Sequence, residues 1–217
     1  MLEEDLAVLS AMQNTFQPLN TVVSLRSGLP ARELKKATGS EGLVQVRVLT
    51  PSSLVAGRVV QVETPMVVLP REVVGRHSLK EGNVVVSARG EFVAGLVVGD
   101  PIKLTGGVPL LAGPLCHVLT FDRATGEGVS PQFIAWLLGT EHARQHMAAA
   151  SKGSAISLYN LETVGSLSVP HLPAASQMAI AEAANVSRSL LEARIALAEA
   201  EIETNNAELC RLAGIRA

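Results

Sequence analysis

The chain has 217 residues, of which 47% are hydrophobic and only 3% aromatic, with a formal net charge of -2. That length supports one good core plus an appendage, and the shortage of aromatics makes the core aliphatic. The near-neutral balance, taken whole, neither demands nor forbids a polyanionic partner, and no apolar run is long enough to span a bilayer.

The charge is unevenly spread. Residues 14–170 hold 14 Lys/Arg against 11 Asp/Glu, whereas residues 171–217 hold 4 Arg against 6 Glu. Glu3, Glu4 and Asp5 precede any base, which is unlike a signal peptide. Cys116 and Cys210 lie far apart, so no disulfide framework is expected, and a reducing cytoplasmic location fits.

In chain order, Glu3–Asn14 reads as a short helix closed by Pro18. Short Val-rich runs then alternate with Gly, Pro and Ser: Val22–Leu25, Leu43–Leu49, Arg58–Val62, Met66–Leu69, Asn83–Arg89, Phe92–Val98 and Cys116–Phe121. These are strand-length segments bounded by turn signals, with a helical turn expected at Ala31–Ala37. Ser130-Pro131 is a helix start, because serine caps free N–H groups and proline is tolerated at the first helical position. Phe133, Ile134, Leu137, Leu138 and Met147 continue a helical stripe to about Ala150. Gly153 ends it, and a short strand or loop leads to Pro170 and Pro173.

From Gln177 to about Leu212 the chain is free of Gly and Pro. Leu191, Ile195, Ala198, Ile202, Asn205, Leu209 and Leu212 recur at alternating spacings of four and three, which is a coiled-coil seam. Such a helix needs a second helix to cover it, and these residues are the expected dimer interface. Asn205 either fixes the register of the pair or stands solvated near a frayed end. The expected organisation is α+β: a strand-rich domain over 1–170 and a long coiled-coil helix over 171–217.

Catalytic patterns are missing from the sequence. No Gly-x-Gly-x-x-Gly, phosphate loop, Cys-x-x-Cys or Gly-x-Ser-x-Gly occurs. The chain therefore reads as a non-enzyme with no cofactor. His142 and His146 have the spacing of two metal ligands on one helix face, but no third ligand accompanies them, and an exposed helical pair is the better reading. His77, His117 and His171 are expected on the surface or in loops, and Cys116 as a small buried hydrophobe. Arg47, Arg58, Arg71, Arg76, Arg89, Lys103 and Lys152 fall on strand ends or loops. Any one of them is by default a solvated charge, but as a group they suit a nucleic-acid recognition face.

Four segments, in order, resemble one family. Leu79-Lys80-Glu81-Gly82-Asn83-Val84-Val85-Val86, followed by Arg89-Gly90, resembles a characteristic strand of DNA target-recognition domains, with Asn83 standing where aspartate is usual. Val129-Ser130-Pro131-Gln132-Phe133-Ile134 resembles the helix start that follows it. Lys152-Gly153-Ser154-Ala155, with Leu158 and Asn160-Leu161, resembles the Gly-Ser/Thr strand. Val169-Pro170-His171-Leu172-Pro173, with Gln177 and Ile180, resembles the approach to the long helix. The family is the specificity (S) subunit of Type I restriction–modification systems.

The resemblance implies one recognition domain and one helix, where a full S subunit is similar to two of each. It implies a homodimer binding double-stranded DNA at a bipartite site, with a DNA methyltransferase subunit and a possible restriction subunit as partners. Catalysis would belong to those partners. The DNA contacts expected are Arg47, Arg89, Lys103, Lys152 and Ser154; Arg89 and the Lys152–Ser154 step lie on family-like segments, the others on charge and loop position. The alternative is a protein-interaction module that binds methyltransferase subunits with little DNA specificity.

Overall fold

The computed structural model describes residues 15–34, 42–55, 57–60, 66–121, 128–151, 157–213 and 215. The expected helix Glu3–Asn14 lies outside them, as do Lys152 and Ser154. In chain order the elements are β1 (Phe16–Pro18), β2 (Ser24–Ser27), α1 (Ala31–Leu34), β3 (Leu43–Leu49), β4 (Leu54–Val55), β5 (Gly57–Val59), β6 (Met66–Pro70), α2 (Arg71–His77), β7 (Val84–Ser87), β8 (Ala94–Leu96), β9 (Leu110–Ala112), β10 (Cys116–Thr120), α3 (Pro131–Leu138), α4 (Glu141–Ala150), α5 (Leu161–Gly165), β11 (Ser168–Pro170) and α6 (Ala174–Leu212). The chain divides into two compact units, Met1–Met178 and Ala179–Ala217.

In the first unit, a six-stranded sheet runs β2-β10-β7-β8-β5-β4 and a three-stranded sheet runs β6-β3-β9. A third, two-stranded sheet pairs β1 with β11. All pairings are antiparallel except β3 with β9 and β5 with β8. Side chains alternate across a strand, and β9 uses both faces. Leu110 and Ala112 join a core with Leu49, Val85, Cys116 and Val118. Leu111, between them, joins a second core with Val46, Val48, Leu69, Val73 and Val74. This wedge strand was not expected from sequence, because three apolar residues between Gly and Pro punctuation are too short to read as a strand. Helix α2 was missed for a related reason: Val73-Val74 beside Pro70 reads as β. The expected strands at Leu43–Leu49, Met66–Leu69 and Cys116–Phe121 are present to within a residue.

The expected single helix from Ser130 to Ala150 is two helices. Ser130 does cap α3, its Oγ accepting the Phe133 N–H. The break falls at Gly139–Thr140, where Thr140 is extended (φ -78°, ψ 161°) and its Oγ1 accepts the Ala143 N–H to start α4. A hydroxyl able to cap competes with helix continuation, and here it wins. Between Gly153 and Pro170 the expected strand or loop includes α5, capped by the Asn160 side chain on the Thr163 N–H at 2.7 Å. No helix among the described residues is long and apolar enough to cross a membrane.

Candidate nucleic-acid interface

The candidate contact residues fall in two groups. Arg47 lies on β3, and its backbone N–H reaches Pro109 O on the way into β9. Its Nε donates to Thr105 O at 3.1 Å. Thr105 is the last residue of a tight 3₁₀ turn, Lys103–Thr105, and its hydroxyl bonds the carbonyls of Ile102 and Val108. Lys103 opens the same turn and is exposed. The fold therefore brings Arg47 and Lys103 to one turn, with Arg47 holding it in place.

Arg89 forms the second group. It is exposed and bridges antiparallel to Leu158. Its neighbours fix it on both sides: Gly90 N–H donates to Ser157 O at 3.0 Å, Tyr159 N–H to Ala88 O at 2.9 Å, and the Tyr159 hydroxyl to Gly90 O at 2.8 Å. Phe92 packs edge-on against the Tyr159 ring at 5.3 Å. A long cation on so constrained a backbone loses little further freedom on binding, which suits it to a planar acceptor pair. Arg89 is thus joined to Ser157–Tyr159, the segment that follows Lys152–Ser154 in sequence. Arg71 and Arg76 are exposed on α2, and Arg76 Nε reaches Glu72 O at 3.4 Å.

Sequence reasoning missed Arg26. This β2 residue donates from Nη2 to His77 O at 3.4 Å, while Nη1 and the His77 Nδ1 are buried and find no hydrogen-bond partner among the described residues. Burial lowers the pKa of Arg26. Burial, then the charges of Arg26 and Arg76, hold His77 below the usual imidazole value, opposed by Glu33. A half-buried cation 51 residues from its histidine neighbour leaves no local signal in a sequence.

His117 corrects an expectation. It is not on the surface but buried on β10, whose neighbours β2 and β7 cover both edges. Its Nε2 lies 2.6 Å from Tyr159 O and must therefore carry the proton. His77 is half-buried at the end of α2, and His171 is exposed. Cys116 is buried, as expected, and desolvation pushes its thiol up to about 12.

The described residues hold no group of three His, Cys, Asp or Glu placed to bind a metal. His142 is exposed, while His146 turns its Nε2 to Thr163 O and Ser166 Oγ, both at 3.2 Å. A cleft of about 400 Å³ runs between Ser78–Glu81 and Asp100–Ile102. Its two carboxylates serve the backbone: Glu81 accepts the Gly99 N–H and Asp100 the Ile102 N–H.

In the second unit, α6 continues unbroken to Leu212, so residues 179–212 span about 50 Å. Leu191, Ile195, Ile202, Leu209 and Leu212 are 50–71% exposed, and Ala198 and Asn205 are exposed between them. A second stripe was overlooked: Val186, Leu190, Ala193, Leu197, Ala200, Thr204 and Ala207 repeat the same alternation of four and three. At 100° per residue it lies on nearly the opposite side of the helix. The signal was present in the spacing and was masked by the first seam.

No protein-family model matches this chain, and no curated protein matches it. Solved structures do. The chain is similar in fold to a chain of a type I R-M system solved to describe complex assembly and conformational transition, with a TM-score of 0.56 and 14% identity over 91% of this chain. It is similar to the Type I restriction–modification S subunit from M. genitalium, at 0.53 and 15% over 89%. It is also similar to the HsdS subunit from Thermoanaerobacter tengcongensis, at 0.56 and 15% over 91%. The expected α+β architecture, a strand-rich domain followed by a long helix, is therefore the fold of these S subunits. The match spans 43%, 44% and 48% of those chains, less than half of each.

Proposed function

We propose that this chain is a non-catalytic DNA-recognition unit of the S-subunit type. Its domain, taken as 1–170, reads one half of a bipartite site in double-stranded DNA, and its helix, taken as 171–217, pairs with that of a second copy. The pair directs a DNA methyltransferase, and in a restriction system the restriction subunit, to that site in the cytoplasm. The observation that carries this is the joining of an S-subunit fold to a helix whose apolar seam is half or more exposed along its length. An exposed seam of that length requires a partner helix. Arg89, Lys103 and Arg47, with Lys152 and Ser154, are the assigned DNA contacts.

A second reading, a protein-interaction module with little DNA specificity, draws on Arg47. Its Nε is committed to Thr105 O, which takes one candidate base reader partly out of use. Selection from random-sequence duplexes separates the two. Enrichment of a split palindrome supports recognition; no enrichment, alongside stable methyltransferase binding, supports the module. Arg89→Ala/Lys152→Ala should weaken DNA binding and lower the slope of log affinity against log salt by about 0.9 for each phosphate no longer neutralised. Unchanged affinity in that variant overturns the assignment of these two residues.

A further inference from the structure

Leu158 stands beside Arg89 in a defined geometry. The two residues form an isolated antiparallel bridge. Gly90 N–H donates to Ser157 O and Tyr159 N–H to Ala88 O, so the hydrogen bonds flank the pair and neither backbone bonds the other. In a pair of that type the Cα atoms lie about 4.5 Å apart and the two side chains leave the same face. Alternation along the segment then separates its residues: Leu158 is 62% exposed, while Tyr159 is turned in at 6%. The Tyr159 ring backs the pair, tied to the Gly90 carbonyl and packed against Phe92.

A lone exposed leucine is ordinary on a protein surface. This one is rooted on a fixed backbone and shares its face with a guanidinium. Among the described residues Arg89 has no carboxylate within ion-pair distance. The fold therefore projects a fork of donors and a branched apolar group side by side.

Base edges in the major groove of DNA present the complement of both. Guanine offers two acceptors, N7 and O6, to one guanidinium, and thymine offers a methyl group to an apolar side chain. Successive base pairs are about 3.4 Å apart, close to the Cα spacing of such a bridge. Base pairs two steps apart would need about 7 Å. A phosphate would engage Arg89 alone and leave Leu158 in water, so it accounts for half of the arrangement. We infer that Leu158 is a specificity-determining residue, contacting a thymine methyl on the base pair next to a guanine gripped by Arg89. This inference rests on the reading of the domain as a DNA-recognition unit.

Removing one methyl group from the DNA tests it without touching the protein. The duplex selected by the full chain should contain guanine and thymine on adjacent base pairs in each half-site. Replacing that thymine by uracil in one half-site should weaken binding about fourfold, the value of one buried methyl group. In Leu158→Ala the same replacement should change nothing. Selection with this variant should accept any base at the thymine position and keep the guanine; selection with Arg89→Ala should relax the guanine. Leu158→Ala removes an exposed side chain, and its melting temperature should match that of the wild type. A selected site in which no uracil matters, or matters equally in Leu158→Ala, overturns this role of Leu158 and leaves recognition standing. A Leu158→Ala variant that keeps the wild-type site but loses methyltransferase binding assigns the leucine to a protein interface, which also overturns it. If the full chain selects no site, DNA recognition itself fails and the inference falls with it.

Discussion

The side chain of Gln177 accepts the backbone N–H of Ser130 at 2.9 Å, joining the first turn of α6 to the capping residue of α3. Its amide nitrogen donates to Leu172 O, also at 2.9 Å, so one buried carboxamide serves two backbone groups. Gln177→Leu keeps the volume and leaves both groups without a partner. It should cost roughly 1–3 kcal/mol in urea unfolding. Unchanged stability would mean that water replaces the carboxamide freely.

Asn83 shows what a short carbonyl-bearing side chain does at this position. Its Oδ1 accepts the Lys80 N–H at 2.9 Å and closes the turn at Glu81-Gly82. Either Asn or Asp supplies that oxygen. Asn83→Asp should leave the unfolding midpoint nearly unchanged, whereas Asn83→Ala should lose about 1–2 kcal/mol. Gly82 in the same turn has φ +82°, and Gly82→Ala should cost about 1 kcal/mol or more.

Gly28 is required by contact, not by conformation. A Cβ there would stand 2.1 Å from Gly113 O, with Ala112 O and Cys116 O within about 3 Å. Those strands cannot retreat, because Gly28 and Leu29 are themselves bonded to Cys116 O and Ala112 O at 2.8 Å. Gly28→Ala should lose about 3 kcal/mol or more, read as a fall in melting temperature or in soluble yield.

His77 gives a pH dependence of definite sign. Its pKa is lowered in the fold, first by burial and then by Arg26 and Arg76. Below about pH 6.5 the unfolded chain therefore binds more protons at this site than the folded one. Stability from this group falls as pH drops below about 6.5 and is fully present above it. His77→Gln should flatten that part of the curve of urea midpoint against pH; an unchanged curve would place the acid sensitivity elsewhere.

The parts of the fold legible in the sequence were those with a local cause. Leu43–Leu49 alternates and is bounded by Gly42 and Pro51, and it appears as β3 within the same limits. Ser130-Pro131 caps a helix from either viewpoint. The misses depend on distance. Nothing near Leu110 announces that β3 will pair with it, and nothing near His117 announces that Tyr159 will offer a carbonyl 42 residues on. The seam on α6 was readable because its period lies in one segment, and its opposite stripe was equally readable once both faces are counted. The cations were readable as a type and not as a place: Arg47 and Lys103 converge on one turn only through Thr105.

The pairing of β1 with β11 sets the order in which a nascent chain acquires structure. Gln17 sits across from Val169, so this sheet cannot form until synthesis has passed residue 170. Pairings so distant in sequence are slow to close. The helix is made immediately afterwards, while the domain is still completing that last sheet.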